Sequence, residues 1–266
     1  MYTFSDEHKN YLKKIKHEKI IVGFFKFFII FIFLLLWEIL AKYSIINTFL
    51  YSSPSRVINT IISLFNSGEL FTHIGITLYE VFISFLFATF IGLFFATILW
   101  FNKILAKVVD PYLTILNSLP KVALGPLIII WVGASINSII FMALMISSFV
   151  TIINIYNGFI NVNKNYVVIL KSFGASKRQI FKKIIFPSNI LNIISALKIN
   201  VSMSLIGVIM GELLVSKTGI GYLIMYGSQV FNIDLVITGV FILGIISYLM
   251  YLVIDKIEMY IKNKRN

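Results

Sequence analysis

Four charged side chains lie inside long apolar runs of this 266-residue sequence, where their chemistry could be put to use: Glu80, Lys121, Lys198 and Glu212. An ionisable group in such surroundings can relay protons, contact a substrate or form a structural ion pair, and the sequence leaves these roles open. A proton-coupled carrier is expected to place a carboxylate deep in its helix bundle, and Glu80 and Glu212 are both predicted near helix ends. An ion-coupled secondary transporter is therefore the less favoured alternative.

Catalytic and nucleotide-binding motifs are missing from the sequence. The string nearest to a phosphate-binding loop, Ser216-Lys217-Thr218-Gly219, runs in the wrong order. Neither His-Glu-x-x-His nor Gly-x-Ser-x-Gly occurs. The chain has no cysteine, and its three histidines are scattered without the spacing of metal ligands. We therefore expect no catalysis, no metal site and no cofactor bound by this chain.

Residues 171–187, KSFGASKRQIFKKIIFP, form a basic, polar segment between two apolar runs. Just before it, Tyr166–Phe173 predicts a short amphipathic helix with Val167, Leu170 and Phe173 near one face. Such a helix at a membrane surface suits a groove on a cytoplasmic partner. The alternative is a solvated basic loop held near anionic lipid headgroups. The apolar stripe favours docking of a partner.

The same segment carries signals for a turn between two helices. Gly174 can adopt positive φ without the strain of a Cβ atom, which permits a sharp reversal of the chain. Ser176 can cap the helix that follows. Pro187 is expected to end that helix and to begin the next apolar run.

Composition places the chain in a lipid bilayer. It is 59% hydrophobic and 13% charged, with a mean hydropathy of +0.93, whereas soluble domains carry about 25% charged residues. The formal net charge of +12 could indicate nucleic-acid binding. However, the basic residues are concentrated between apolar runs, which is typical of membrane topology signals and argues against a nucleic-acid partner.

Six apolar runs are long enough to span a bilayer as helices, so the predicted fold is an all-α polytopic membrane protein. The predicted spans are Ile20–Leu40, Gly75–Trp100, Val108–Trp131, Ile136–Gly158, Ile190–Leu214 and Val236–Ile257. With the N-terminus in the cytoplasm, 17 of the 23 Lys and Arg residues fall in cytoplasmic segments, counting Lys256 at the inner end of the sixth span, and three fall in outer segments. This asymmetry predicts that both termini are cytoplasmic.

The third predicted span contains Pro111, Pro120 and Pro126, with Gly125 beside the last of them. Each proline removes a backbone donor, so we expect them to interrupt the helix. The bent helix could line a passage, which we favour, or form a kink buried in a bundle. In the fifth span, Gly207 and Gly211 form a Gly-x-x-x-Gly pattern that predicts close packing against another helix or another protomer.

The segment after residue 166 resembles the coupling loop of binding-protein-dependent ABC importer permeases. That loop has a Glu-Ala-Ala triplet, three further residues, Gly, nine further residues and Ile-x-Leu-Pro. Gly174, Ile184 and Pro187 match the pattern, and Phe186 stands in place of Leu. The triplet itself is replaced by Val168-Ile169-Leu170.

Further motifs, in consistent order over residues 50–257, are similar to permeases of the nitrate, sulfonate and taurine type. They are Ser53-Pro54-Ser55-Arg56-Val57, Gly68-Glu69-Leu70, His73, Thr77-Leu78, Leu119-Pro120, Leu124-Gly125-Pro126, Trp131-Val132-Gly133, Gly211-Glu212-Leu213, Ser216 and Gly219-Ile220-Gly221-Tyr222-Leu223-Ile224. The resemblance implies the fold of a type I ABC importer transmembrane domain. It also implies a bacterial inner-membrane permease for a small solute such as nitrate, a sulfonate, taurine or a thiamine precursor.

The resemblance further implies partners and site residues. The partners are a second permease copy, ATPase subunits that bind ATP and Mg²⁺, an extracytoplasmic binding protein and the lipid bilayer. The residues that couple to the ATPase would be Tyr166, Leu170, Phe173, Gly174, Ala175, Ser176, Ile184 and Pro187. The candidates for the pathway and its gates are Pro120, Gly125, Pro126, Gly207, Gly211, Glu212, Gly219 and Gly221.

The implied organisation has four parts. Residues 1–19 form a basic cytoplasmic tail, and residues 20–69 form the first transmembrane helix with an external segment. Residues 70–257 form the importer core, with the coupling loop at 163–187. Residues 258–266 form a second cytoplasmic tail.

Overall fold

A computed structural model describes residues 6–265, and every element in that range is helical. The first five residues of the predicted tail 1–19, and the last residue of the tail 258–266, lie outside the described residues. The α-helices are α1 (Asp6–Lys42), α2 (Thr48–Tyr51), α3 (Pro54–Asn66), α4 (Glu69–Phe101), α5 (Lys103–Ser118), α6 (Gly125–Val132), α7 (Ile136–Ile160), α8 (Lys164–Ser172), α9 (Lys177–Ile180), α10 (Phe186–Ser188), α11 (Ile190–Val215), α12 (Ile220–Gln229) and α13 (Ile233–Arg265). A 3₁₀ turn at Lys121–Leu124 precedes α6, and a π-helical turn at Phe181–Ile185 joins α9 to α10.

Five helices in the described range are long and apolar enough to cross a membrane. These spans are Lys13–Lys42, Glu69–Phe101, Ile136–Ile160, Ile190–Val215 and Ile233–Lys264. They coincide with the first, second, fourth, fifth and sixth predicted spans, which confirms the all-α polytopic fold. The count of six continuous helices is not met, because the third predicted span is divided.

The division of the third span has its cause at Leu119–Pro120. Leu119 has φ −60° and ψ 140°, the extended conformation that a following proline favours. Pro126 lies in the first turn of α6, where its missing N–H leaves no helical hydrogen bond unmade. Pro111, however, lies inside α5 and does not end it, so the prediction that it interrupts the helix is wrong.

Helix α7 lies at the centre of the bundle and packs along α4 on one side and α11 on the other. The contact with α11 depends on Gly207 and Gly211, because a Cβ atom at either position would collide with Ala143 or Ile139 of α7. The predicted Gly-x-x-x-Gly packing face is therefore a contact between two helices of this chain. It fixes the spacing of the two helices that flank the coupling segment.

Helix α1 lies at the edge of the bundle. None of the most apolar window of its span, Lys13–Lys42, is buried against the rest of the chain. Its last turns make the attachment: Glu38 Oε2 accepts a hydrogen bond from Ser55 N at 3.0 Å, and the ring of Trp37 stacks on Phe241 with centroids 6.0 Å apart. Most of its apolar surface is therefore available to lipid.

Candidate functional site

The coupling segment, residues 163–187, begins with α8 and a tight turn. Gly174 has φ +74°, the conformation predicted for it, and the space around it is open. The N–H groups of Ala175 and Gly174 donate to the carbonyls of Leu170 and Lys171 at 3.0 and 2.9 Å. These two bonds form a Schellman motif, which satisfies carbonyls that the end of α8 would otherwise leave unpaired. The reversal at Gly174 is thus built from backbone hydrogen bonds.

The next helix starts as the sequence predicts. Ser176 is the N-cap of α9: its Oγ accepts from Gln179 N at 3.3 Å, while its own N–H donates to Gln179 Oε1 at 2.7 Å. This reciprocal arrangement is a capping box. Both ends of the turn between α8 and α9 are therefore fixed locally, and the two short helices keep a defined angle.

The faces of α8 differ from the prediction. Val167 and Leu170 are half-buried and pack, together with Ala175, against the core cluster around Phe159. Phe173 points away from them and is 84% exposed, so the expectation that these three side chains share one face is wrong. Whether α8 turns Val167 inward or outward depends on the helices beneath it, which amphipathic spacing alone does not specify.

The exposed apolar surface of α8 and its C-cap instead consists of Tyr166, Ile169 and Phe173, and we call it the docking face. These residues are three and four apart, which places them on one side of a helix. Val168 is also exposed but lies on a different side. The docking face is therefore a compact apolar patch that spans about two helical turns.

The later half of the coupling segment stays helical longer than expected. Pro187 lies in the first turn of α10, and the chain remains helical through Ser188, so the prediction that Pro187 ends the helix is wrong. The break comes at Asn189, whose side-chain amide donates to Ile185 O at 2.8 Å. Ile184 is half-buried against the same core cluster as α8.

Aromatic rings connect the coupling segment to the end of α4. The ring of Phe181 lies 5.0 Å from Trp100, 5.1 Å from Phe101 and 5.3 Å from Phe159 of α7, measured between centroids. The ammonium of Lys177 lies 5.7 Å from the Trp100 ring and also donates to the carbonyl of Phe101. The coupling segment is therefore in direct contact with the end of α4 and with α7.

At the other end of α4 and α11, a second polar assembly holds the start of α12. We call it the clamp: the side chains of His73, Thr77 and Glu212. These side chains accept hydrogen bonds from the three N–H groups at the start of α12. Gly219 N donates to His73 Nδ1 at 2.9 Å, Ile220 N to Thr77 Oγ1 at 2.9 Å and Gly221 N to Glu212 Oε2 at 2.5 Å. A helix start normally leaves these donors unpaired, and here three side chains satisfy them.

The members of the clamp also support one another. Thr77 Oγ1 donates to Glu212 Oε1 at 2.6 Å, and all three side chains are buried. The two glycines make the approach possible: a Cβ atom at Gly219 or Gly221 would collide with the Glu212 carboxyl group. Gly219 also has φ +104°, a conformation that residues with a side chain rarely adopt.

The four charged residues inside apolar runs have different environments. Glu80 and Glu212 are fully buried electrostatic neighbours, and they lie toward the clamp ends of α4 and α11, where the sequence predicts them. Lys198 pairs with Asp255 at 2.6 Å and Glu258 at 2.5 Å, which is the structural ion pair considered above. Lys121 donates to the carbonyl of Asn117 at 2.9 Å, at the end of α5.

The other pathway candidates do not converge on one cavity in this structure. Gly125 is buried, and a Cβ atom there would collide with Leu214 of α11. Gly207 and Gly211 are buried against α7, whereas Pro120 and Pro126 are exposed. The glycines of this set permit close helix contacts, and the prolines mark the divided span.

A cleft of about 470 Å³ between α7 and α11, beside the coupling segment, was not anticipated from the sequence. Its walls carry Asn154 and Asn157 on α7, Asn161 just after the end of α7, and Asn192 and Ser195 on α11. The spacing of these residues by three or four positions within apolar runs is a signal that could have found it. We refer to it as the asparagine cleft.

Long apolar helices, with a capped short helix at one end of the bundle and a clamped helix start at the other, are the architecture of a multi-pass membrane protein. The chain belongs to the family described as binding-protein-dependent transport system inner membrane component, whose profile matches residues 88–264. It is an ABC importer permease, a multi-pass protein of the inner membrane.

Two relatives illustrate the range of the family. The chain is 29% identical over 225 residues to the formylaminopyrimidine transport permease protein ThiX of Halalkalibacterium halodurans, covering 85% of this chain and 89% of the relative. It is 26% identical over 231 residues to the putative aliphatic sulfonates transport permease protein SsuC of Bacillus subtilis, covering 87% and 84%.

A solved structure of the inward-facing MetNI methionine ABC transporter shares the fold. The TM-score is 0.64 at 20% sequence identity, and the match covers 71% of this chain and 94% of the other. This likeness supports the type I importer architecture.

Proposed function

We propose that this chain forms the translocation pathway of an ATP-driven importer in which a separate ATPase supplies the energy. The observation that carries the proposal is the docking face of α8: Tyr166, Ile169 and Phe173 are exposed on a short helix that is capped at its end by Gly174. An exposed apolar helical face of this size fits a groove on a partner protein. ATP and Mg²⁺ bind to that partner, and this chain holds neither.

Force from the ATPase enters at α8 and reaches the bundle by two routes. Val167 and Leu170 press on the core cluster around Phe159, and Phe181 contacts Trp100 at the end of α4. The π-helical turn and α10 then continue into α11 across the break at Asn189. Movement of the docking face therefore changes the relative positions of α4, α7 and α11, as alternating access requires.

The clamp makes α12, at the external end of the pathway, follow the movements of α4 and α11. Because α12 is tied to both α4 and α11, it moves with them when they separate or approach. We propose that the clamp end faces outward, toward a binding protein, and that the coupling segment and both termini lie in the cytoplasm. The distribution of basic residues supports this orientation.

The complete importer would contain two permease copies, two ATPases and one extracytoplasmic binding protein. Two copies are needed to enclose a pathway, because exposed faces of one chain can form only one wall of it. The solute is a small molecule of the kinds named for the relatives: a formylaminopyrimidine, an aliphatic sulfonate or taurine.

Cross-linking tests the docking face directly, since the natural sequence contains no cysteine. A Phe173→Cys variant, purified in complex with its ATPase and labelled with a cysteine-reactive photocross-linker, is expected to attach to the ATPase subunit. Phe94→Cys, on the exposed side of α4, is the matched control and is expected not to attach. Equal attachment from both positions, or none from position 173 in an intact complex, would refute the proposal.

A further inference from the structure

The asparagine cleft has walls on the two helices that the coupling segment connects. Asn154 and Asn157 on α7 and its C-cap residue Asn161 follow one another on one side, and on α11 Asn192 and Ser195 line the opposite wall. Gly158 lies between the walls, and a Cβ atom there would collide with the side chain of Asn192. The cleft is therefore open partly because this position has no side chain.

The amides of the cleft are available for a ligand. Asn157, Asn161 and Asn192 are exposed, and within residues 6–265 none of their side chains makes a hydrogen bond. An amide that is removed from water without a partner costs about 1–3 kcal/mol in proteins. Such groups on membrane-embedded helices are therefore expected to face an aqueous pathway or a polar solute rather than lipid.

The chemistry of the cleft distinguishes between classes of solute. No residue lining it is charged. A sulfonate carries a permanent negative charge, and taking it out of water without a compensating cation is unfavourable. A carboxamide, in contrast, places a donor beside an acceptor, and asparagine pairs in this way with the amino group and adjacent ring nitrogen of adenine.

We propose that the asparagine cleft binds the transported solute at the coupling end of the pathway, and that this solute is a small uncharged molecule with an amino group beside a ring nitrogen. The proposal rests on the proposed function and specifies its substrate class. Two or three carboxamides around one heterocycle provide several paired hydrogen bonds, and Ile199 and Ala196 supply apolar contact for the ring. A volume of about 470 Å³ accommodates one such ring with its substituents.

Equilibrium binding to the purified permease–ATPase complex in lipid nanodiscs, without a binding protein, tests the inference. The probes are a formylaminopyrimidine and taurine. We expect the pyrimidine to bind and taurine not to bind. Asn157→Leu and Asn192→Leu, which keep side-chain size and remove the amide, are each expected to weaken pyrimidine binding about tenfold or more. Asn66→Leu, an exposed asparagine at the end of α3, is the matched control and should leave the affinity unchanged.

Three results would overturn the inference: binding of taurine but not the pyrimidine, binding of neither probe, or pyrimidine binding that is insensitive to both variants. If Asn192→Leu does not assemble, Asn157→Leu carries the test. The Phe173→Cys cross-link to the ATPase is measured on the same preparations. If the cross-link forms but the pyrimidine does not bind, only the substrate class is rejected. If the cross-link does not form in the complex that carries Phe173→Cys and no asparagine substitution, the proposed function is rejected.

Discussion

The two ends of α4 and α11 are held together by opposite kinds of contact. At the clamp end, three buried side chains each accept a backbone N–H group from the start of α12. At the coupling end, α9 meets α4 through the rings of Phe181, Trp100 and Phe101, close to the protein surface. Hydrogen bonds in a buried network fix one geometry, whereas apolar ring contacts tolerate small displacements.

This difference suggests a division of roles. The end that we propose to exchange force with the ATPase uses ring contacts that can slide, and the clamp end uses directional hydrogen bonds. If so, substitutions in the clamp should mainly change stability, and substitutions on α8 should mainly change coupling. Four predictions test this contrast, in decreasing order of the expected effect on stability.

The largest loss is expected for Gly219→Ala. The new Cβ atom would collide with the Glu212 carboxyl group and so break clamp bonds, in addition to the strain at φ +104°. We expect a loss of about 3–5 kcal/mol, from strain together with unsatisfied buried donors. Gly133→Ala is a close control, because Gly133 has a similar backbone conformation with open space around it, and its cost should be about 1–3 kcal/mol. Thermal unfolding in detergent measures both, and equal losses would contradict the clamp.

Thr77→Val should lower the free energy of unfolding by a smaller amount. It keeps the shape of the side chain but removes the acceptor for Ile220 N–H and the donor to Glu212. A loss of about 2 kcal/mol is expected. Thr238→Val provides the comparison: its hydroxyl is also fully buried but makes no hydrogen bond with any described residue, so the substitution should be neutral or stabilising. The clamp interpretation fails if the two valine variants unfold at the same temperature.

Gly174→Asp is expected to reduce stability by about 1 kcal/mol and coupled transport by about tenfold. The space around Gly174 is open, so its cost in stability comes only from the positive φ. The effect on coupling comes from a negative charge placed beside the docking face. Reconstituted complexes should hydrolyse ATP without matching solute uptake. Gly174→Ala is the control, because it introduces the same backbone strain without the charge. Normal coupled uptake in the Gly174→Asp variant would count against the docking assignment.

Phe173→Ala should change stability by no more than about 0.5 kcal/mol, because its side chain is 84% exposed. The affinity of the Phe173→Ala variant for the ATPase should nevertheless fall about tenfold, since truncating a central aromatic residue of an interface commonly costs more than 1 kcal/mol of binding free energy. Val168→Ala is the control on the same helix, outside the docking face. An equal loss of ATPase affinity in both variants would show that the residues of the docking face are wrongly assigned.

The sequence allows local features to be predicted well. The positive φ of Gly174, the cap at Ser176 and the break before Pro120 depend on neighbouring residues, and each was anticipated. The direction in which Val167 and Leu170 face was not, because it depends on the helices that lie beneath α8. Pro111 shows the same limit, since tertiary packing can keep a helix continuous through a proline that local rules would make a break.

The clamp was the least predictable part of the site. The resemblance made Glu212, Gly219 and Gly221 pathway candidates and included His73 and Thr77 only as motif matches. It did not pair them, and Thr77 is 135 residues from Glu212 in the sequence. No local periodicity links positions so far apart. The asparagine cleft is intermediate in how far the sequence predicts it. Each wall is a regular pattern along one helix, but only the packing of α7 on α11 brings the two walls together.

Helix α1 gives the protein a sensitivity to its surroundings that the core does not share. Its span of 30 residues is about 45 Å long, which exceeds a hydrocarbon thickness of about 30 Å, and its apolar window touches little protein. Such a helix adjusts to bilayer thickness by tilting, with its last turns near Trp37 acting as the pivot. Membranes of different thickness would then reorient this one helix, while the packing of α4, α7 and α11 stays the same.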